Sequence, residues 1–193
     1  SWSEPEALEV TDRKQLRPHQ REAVESVVEG FATADRGRLI MACGTGKTFT
    51  SLRLAEQMVG VGGSVLFLVP SISLLSQTLR EWATEARIPL APLAVCSDRK
   101  ATARSRAVDE DISAVDLALP STTNVAVLES RLTQAQGDAS SMTVVFSTYQ
   151  SIDVVAQAQA QGELEPFDLI VCDEAHRTTG VTLAGADESA FVR

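Results

Sequence analysis

Residues 65–69, VLFLV, form an unbroken run of apolar side chains. Successive side chains of a strand point to opposite faces of its sheet, so an apolar strand of this kind needs cover on both faces. Other strand-like runs lie at 39–41, 90–95, 143–146 and 166–172, with segments of helical periodicity between them. This alternation predicts an α/β domain with a mostly parallel central sheet and helices on both faces.

The predicted helices cover residues 17–31, 47–59, 72–86 and 124–136, and a fifth begins near Tyr149. Pro92 lies inside the 90–95 run and has no amide hydrogen, which favours an edge strand or a bulge there. Ligands of such sheets bind beyond the carboxyl ends of the strands. The unusual segments of this chain all follow predicted strands, so the functional site is expected at that edge.

The length of 193 residues suits one domain with a sizeable core. No apolar run approaches the ~20 residues that cross a bilayer, and the first residues do not resemble a signal peptide. Three cysteines share no metal-type spacing; Cys96 and Cys172, in apolar runs, are predicted to be buried thiols. We therefore expect a cytoplasmic protein without a membrane partner. The net charge of −9 disfavours a module that binds nucleic acid tightly by itself.

The turn MACGTGKT, residues 41–48, joins a predicted strand to a predicted helix. Gly44, Thr45 and Gly46 allow the backbone to curl so that successive N–H groups face phosphate oxygens, and the helix dipole favours an anion there. Lys47 can reach the β- and γ-phosphates, and the Thr48 hydroxyl can bind Mg²⁺. We call residues 41–48 the phosphate turn. Taken alone, this turn could also be a purely structural connection into the helix.

Two adjacent acids, Asp173 and Glu174, end the strand-like run PFDLIVC. Such a pair is costly to hold together without a cation. Asp173 is therefore predicted to hold Mg²⁺ through its waters, and Glu174 to orient and deprotonate an attacking water. Lys47, Asp173 and Glu174 form the predicted catalytic set, and a solvated acidic turn is the alternative for the acids.

Four segments in order, MACGTGKT, VPSISLLSQT, FSTYQS and CDEAHRT, resemble the first motor domain of superfamily-two helicases of the DEAH type. The residues of these segments are most similar to those of the motors of bacterial restriction and defence enzymes, such as type ISP or type I and III restriction enzymes. The resemblance runs from about Leu16 to Gly180. It implies a RecA-like P-loop NTPase fold, a three-layer sandwich, with residues 1–15 as a linker and 16–193 as the first motor domain.

The resemblance also implies roles for single residues. Gln20 matches the glutamine that reads the adenine edge, with Arg17 beside the base, although a solvent-facing helix residue is an equal alternative for Gln20. The implied nucleic-acid contacts are Pro70, Ser71, Gln77, Thr148, Tyr149 and Gln150. A plain helix N-cap is the competing explanation for Ser71 and for Ser147. His176 matches the residue that couples the ATP site to the nucleic-acid side.

The implied function is movement on DNA driven by hydrolysis of ATP with Mg²⁺, with RNA as an alternative track. The implied partners are a second RecA-like domain of the same polypeptide and a fused nuclease or methyltransferase. An arginine finger from a second domain can contribute ~10³–10⁵ in rate, so the isolated chain is expected to hydrolyse ATP barely. A kinase, an unrelated nucleotide hydrolase or a non-catalytic nucleotide-binding module would explain the phosphate turn, but would leave VPSISLLSQT and FSTYQS unexplained.

Overall fold

The computed structural model describes residues 14–96, 121–162 and 165–174. Within them the helices are α1 (Pro18–Phe31), α2 (Lys47–Met58), α3 (Ile72–Glu85), α4 (Val125–Gln136) and α5 (Ile152–Gly162). The strands are β1 (Ser64–Val69), β2 (Leu90–Val95), β3 (Met142–Thr148) and β4 (Leu169–Cys172). A short 3₁₀ turn, Tyr149–Ser151, connects β3 to α5.

The four described strands form one parallel sheet in the order β2-β3-β1-β4. Every residue of β1 and β3 is buried, as the apolar run at 65–69 predicts for strands covered on both faces. β2, which contains Pro92, is an outer strand among the four described strands, which agrees with the edge alternative predicted from this proline. The parallel α/β architecture predicted from the sequence is likewise confirmed.

Helices cover both faces of the sheet and complete three layers. On one face, Leu52 of α2 and Trp82 of α3 are fully buried against Phe67 and Phe146 of the sheet. The Trp82 ring meets both phenylalanines edge to face, with centroids 5.2 Å and 5.5 Å away. On the other face, leucines of α4 and Val155 of α5 pack against β1 and β3. α1 lies against α2.

Local signals set the starts of several helices. Pro18 occupies the first turn of α1, where its missing amide hydrogen is not needed. The Ser71 hydroxyl accepts a hydrogen bond from the Leu74 amide (3.3 Å) at the start of α3, and Asn124 caps α4 through the Val127 amide (3.2 Å). The N-cap explanation for Ser71 is therefore confirmed.

Two local expectations are wrong. The predicted strand at Leu39–Met41 is irregular backbone, and the Leu39 and Ile40 side chains are exposed. A strand needs a neighbour to pair with, and none of the described strands lies beside this segment. Cys96 is buried as predicted, but Cys172 is exposed because it ends β4, an edge strand in the described sheet. None of the helices in the described ranges has the length and apolar character needed to cross a membrane.

Trp82→Ala should lower the free energy of unfolding of the chain by about 3–5 kcal/mol, because it opens a cavity between α3 and the sheet. It also removes the indole N–H that donates to the Thr48 carbonyl (3.1 Å). Urea unfolding followed by circular dichroism measures the change. Val127→Ala, at an exposed position of α4, is the control and should change stability by less than about 0.5 kcal/mol. Equal effects of the two substitutions would contradict this packing.

Candidate functional site

The sheet register brings three predicted functional segments together at the carboxyl ends of the strands. Val69 pairs with Thr148, and Leu68 pairs with Cys172. The next residues along the three strands are therefore neighbours: Pro70–Ser71 after β1, Tyr149–Gln150 after β3, and Asp173–Glu174 after β4. The Asp173 amide donates to the Leu68 carbonyl (2.9 Å), which extends the pairing of β4 with β1 to the first acid.

The turn before α2 has the backbone of an anion-binding loop. Gly44 and Gly46 have positive φ, 74° and 85°, a region in which side chains other than glycine are strained. Gly46 is the N-cap of α2 and has no side chain to cover the amides of the first helical turn. Those amides have no acceptor within the helix, so they are available to an anion at the positive end of the helix dipole.

Hydrogen bonds hold this turn in place. The Thr45 hydroxyl donates to the Ala42 carbonyl (2.6 Å), and the Thr50 hydroxyl donates to the Gly46 carbonyl (3.0 Å). The Trp82 indole donates to the Thr48 carbonyl and ties the first turn of α2 to α3. The loop is therefore fixed from within and from the core behind it.

Lys47 and Glu174 meet beyond the carboxyl end of the sheet. The Lys47 Nζ lies 3.2 Å from Glu174 Oε1, and both side chains are only partly exposed, at 35% and 28%. The hydrogen bond to Glu174 raises the pKa of Lys47 above its ordinary value, and the carboxylates of Glu174 and Asp173 add to that effect against partial burial. The lysine is therefore cationic, and the phosphate turn and the acidic pair form one site, which a separate, solvated acidic turn would not do.

The peptide group between Asp173 and Glu174 is held at both of its ends. Its carbonyl oxygen accepts a hydrogen bond from the Tyr149 hydroxyl (2.8 Å), and its N–H donates to Asp173 Oδ1 (3.0 Å). Glu174 adopts φ of 54°, a left-handed conformation that costs a non-glycine residue about 1–2 kcal/mol. Backbone strain of this size is found where surrounding contacts impose it, and it is concentrated at functional sites.

A cleft of 360 Å³ lies between α1, the phosphate turn and α3. It gathers five residues predicted to bind nucleotide: Arg17, Gln20, Gly44, Thr45 and Gly46. It is also lined by Lys14, Gln15, Phe49 and Glu81, which were not among the residues predicted from the sequence. Phe49 directly follows the turn and could have been suspected, whereas Glu81 is brought to the cleft only by the packing of α3.

Gln20 is buried, with 4% of its surface exposed, so the alternative of a solvent-facing helix residue is wrong. Its Oε1 accepts from the Arg17 amide (2.9 Å), and its Nε2 donates to the Thr45 carbonyl (2.8 Å). The side chain therefore joins the start of α1 to the phosphate turn. A carboxamide has two hydrogens and two lone pairs on oxygen, so one donor and one acceptor remain for a ligand.

The predicted nucleic-acid residues differ in what they can offer. Gln77 and Gln150 are exposed, whereas Thr148 and Tyr149 are buried. The Thr148 hydroxyl donates to Ser151 Oγ (3.2 Å), and the Ser147 hydroxyl donates to the Thr148 carbonyl (3.1 Å). Ser147 is not an N-cap, since the 3₁₀ turn begins after Thr148 without a side-chain cap. Gln150 is therefore the residue of this segment whose side chain is exposed for contact with nucleic acid.

His176, which is predicted to couple the ATP site to the nucleic-acid side, lies outside the described residues. In the described part of the chain no group of three or more histidine, cysteine or acidic side chains gathers as a metal cage. Mg²⁺ bound with nucleotide needs no such cage, because it keeps several waters and takes one or two carboxylates together with phosphate oxygens. A single acidic pair facing an anion-binding turn fits that ion.

Residues 13–188 match the family described as type III restriction enzyme, res subunit. The chain is 30% identical over 164 residues to the probable helicase A859L of African swine fever virus, isolate Pig/Kenya/KEN-50/1950. That alignment covers 85% of this chain and 16% of the viral protein. The same protein of isolate Tick/Malawi/Lil 20-1/1983 matches with the same identity and coverage.

Two solved structures share the fold. A nuclease-deletion mutant of the type ISP restriction-modification enzyme LlaGI, in complex with a DNA substrate mimic, is 42% identical with a TM-score of 0.69. The ATP-dependent type ISP enzyme LlaBIII, bound to DNA, is 40% identical with a TM-score of 0.73. The matches cover 84% and 93% of this chain but only 15% and 12% of those proteins, so the chain spans a small part of each relative.

Gly46→Ala should destabilise the chain more than Gly44→Ala. Both positions have positive φ, which predicts a cost of about 1–2 kcal/mol for alanine. Around Gly44 a new Cβ would meet open space, whereas at Gly46 it would overlap the Gln20 side-chain amide. Urea unfolding of the two variants measures the difference.

Gln20→Ala serves as the partner for a double-mutant cycle. In the Gly46→Ala background it removes the overlap and should recover part of the lost stability, whereas by itself it destabilises because two hydrogen bonds disappear. Additive effects of the two substitutions would show that Gln20 does not lie against Gly46.

Proposed function

This chain belongs to the family of type III restriction enzyme res subunits and is a RecA-like helicase motor domain, and we propose that it binds ATP with Mg²⁺ and converts ATP hydrolysis into movement along DNA. One observation carries the proposal: Lys47 of the phosphate turn lies 3.2 Å from Glu174 at the end of β4. A helix entry built for an anion and an acidic pair thus form one site. A nucleoside triphosphate with its metal ion would supply an anion to the turn and a cation to the acidic pair.

The phosphates would lie against Gly44, Thr45 and Gly46, with Lys47 on the β- and γ-oxygens. In the structure the Lys47 amine is engaged by Glu174. Phosphate oxygens would therefore compete with Glu174 for the Lys47 amine when nucleotide binds.

Thr48 and Asp173 are the proposed Mg²⁺ residues. Thr48 is in the first turn of α2, and Asp173 lies directly after β4, next to the Glu174 that pairs with Lys47. When bound, Mg²⁺ neutralises charge on the phosphate oxygens. Asp173 would hold the ion through its waters, while Glu174 accepts the proton of the attacking water.

The adenine base is proposed to lie in the cleft beside Arg17 and Gln20. The adenine edge presents one donor, the N6 amine, beside one acceptor, N7. The Gln20 carboxamide retains one acceptor position and one hydrogen after its bonds to Arg17 and Thr45. That remaining pair complements adenine and mismatches guanine, whose edge presents two acceptors.

DNA is proposed to lie across the carboxyl edge beside the nucleotide site. Pro70 and Ser71 follow β1, and Gln77 is exposed on α3. Thr148 ends β3, and Tyr149 and Gln150 follow it. A net charge of −9 requires grip by amides and neutral side chains more than by cations. Of the two solved structures described above, one is bound to DNA and the other is in complex with a DNA substrate mimic, which favours DNA over RNA as the track.

The remaining partners lie outside the described residues. We propose that a second RecA-like domain of the same polypeptide completes the ATP site, that His176 couples that site to DNA, and that a nuclease or methyltransferase is fused to the motor. These proposals rest on the resemblance and on the small share of each relative that the chain spans. DNA-stimulated turnover by the isolated chain would contradict the need for a second domain.

Lys47→Ala should weaken binding of a fluorescent ATP analogue with Mg²⁺ by about 30-fold or more, because the phosphates lose their charged partner. Glu174→Gln should keep binding or strengthen it by up to about fivefold, because a partly exposed competing pair is removed. Fluorescence titration of the chain and both variants measures these affinities.

Glu174→Gln has a second consequence in the intact motor. Loss of the general base should lower the rate of ATP hydrolysis by about 10²–10⁴ while nucleotide binding persists. Unchanged binding in Lys47→Ala, or lost binding in Glu174→Gln, would show that the phosphates lie elsewhere.

Gln77→Glu and Gln150→Glu should each weaken DNA binding by the intact motor by about three- to tenfold, because a carboxylate would face phosphates in water. Gln161→Glu, exposed near the end of α5, carries the same charge change towards the opposite edge of the sheet and should leave affinity unchanged. Fluorescence anisotropy at fixed salt concentration compares the three. Equal losses in all three variants would indicate a general charge effect rather than a DNA path at this edge.

A further inference from the structure

Tyr149 begins the segment proposed to contact DNA, yet its side chain points into the protein. Only 6% of its surface is exposed, and its ring packs with Leu66, Leu68 and Val145 under α4 and α5. Its hydroxyl reaches past the end of β1 to the Asp173 carbonyl, 2.8 Å away. The residue therefore spans from β3 to β4, two strands that are not neighbours in the sheet.

The carbonyl that Tyr149 holds belongs to the peptide group before Glu174. The N–H of the same group donates to Asp173 Oδ1, so the peptide plane is fixed at both ends. That orientation accompanies the left-handed φ of Glu174, and it directs the Glu174 carboxylate to Lys47 at 3.2 Å. A rotation of this peptide would move the carboxylate away from the phosphate turn.

The hydroxyl that donates this hydrogen bond has a defined position, because the Tyr149 ring is fixed by packing on the α4–α5 face of the sheet.

We propose that Tyr149 is a positioning residue for ATP hydrolysis, whose hydroxyl holds the Asp173–Glu174 peptide so that Glu174 faces the phosphate turn. The same residue lies next to exposed Gln150, and it therefore provides a direct link from the DNA segment to the general base. A DNA strand that displaces the 3₁₀ turn would also displace the hydrogen bond from the Tyr149 hydroxyl to the Asp173 carbonyl. The inference rests on the proposed function, because it assigns Tyr149 a role in that reaction.

The test is Tyr149→Phe in the intact motor, measured by steady-state ATP hydrolysis with and without DNA. The ring is retained and the hydroxyl lost, so kcat should fall by about 10- to 100-fold through misplacement of the carboxylate. KM and the affinity for the fluorescent ATP analogue should change by less than about twofold, because Lys47 and the turn are untouched.

Ser151→Ala is the matched control. It also removes one buried hydrogen bond from the same 3₁₀ turn, that with Thr148, but does not affect the bond to the Asp173 carbonyl. Its kcat should stay within about twofold of the unaltered motor. Equal losses of kcat in the two variants would assign the effect to general loosening of the turn and overturn the proposal.

A second comparison separates positioning from other effects. In a Glu174→Gln background, Tyr149→Phe should lower single-turnover hydrolysis little further, because the hydroxyl acts through Glu174. Full additivity, or an unchanged kcat in Tyr149→Phe alone, would overturn the proposal while the proposed function stands. An unaltered intact motor that does not hydrolyse ATP would overturn both.

Discussion

The parallel pairing of β1 with both β3 and β4 brings together the segments that follow these three strands. Because all four described strands run the same way, their carboxyl ends meet at one edge. Residues that are more than 100 positions apart, such as Ser71 and Asp173, thereby become neighbours. The register adds precision, since Thr148 ends level with Val69, and Cys172 ends level with Leu68.

Opposite charges meet at the carboxyl end of the sheet, where Lys47 pairs with Glu174. Partly exposed pairs of this kind contribute little to stability, so the proposed competition of phosphate oxygens for the Lys47 amine has a low energetic cost. Stability comes instead from the apolar contacts behind the edge, where Trp82 joins α3 to the sheet and to the backbone of Thr48.

Two buried side chains hold together the segments proposed to bind nucleotide and DNA. Gln20 joins α1 to the phosphate turn through Thr45. Tyr149 joins the end of β3 to the acidic pair. Each is buried, and each acts through a backbone carbonyl, a group whose position changes only when the segment itself moves. Side chains of this kind can transmit a displacement from one segment to another without touching a ligand.

The sequence by itself determined the five helices and four strands described above, the N-cap of α3, and the positions of the phosphate turn and the acids, because near neighbours encode these features. Only the tertiary structure decided that 39–41 is unpaired, that Gln20 is buried on Thr45, and that the Tyr149 hydroxyl serves Asp173. Those outcomes depend on contacts between segments that are distant in the sequence. Strand register and packing determine such contacts, and a local pattern of residues does not specify them.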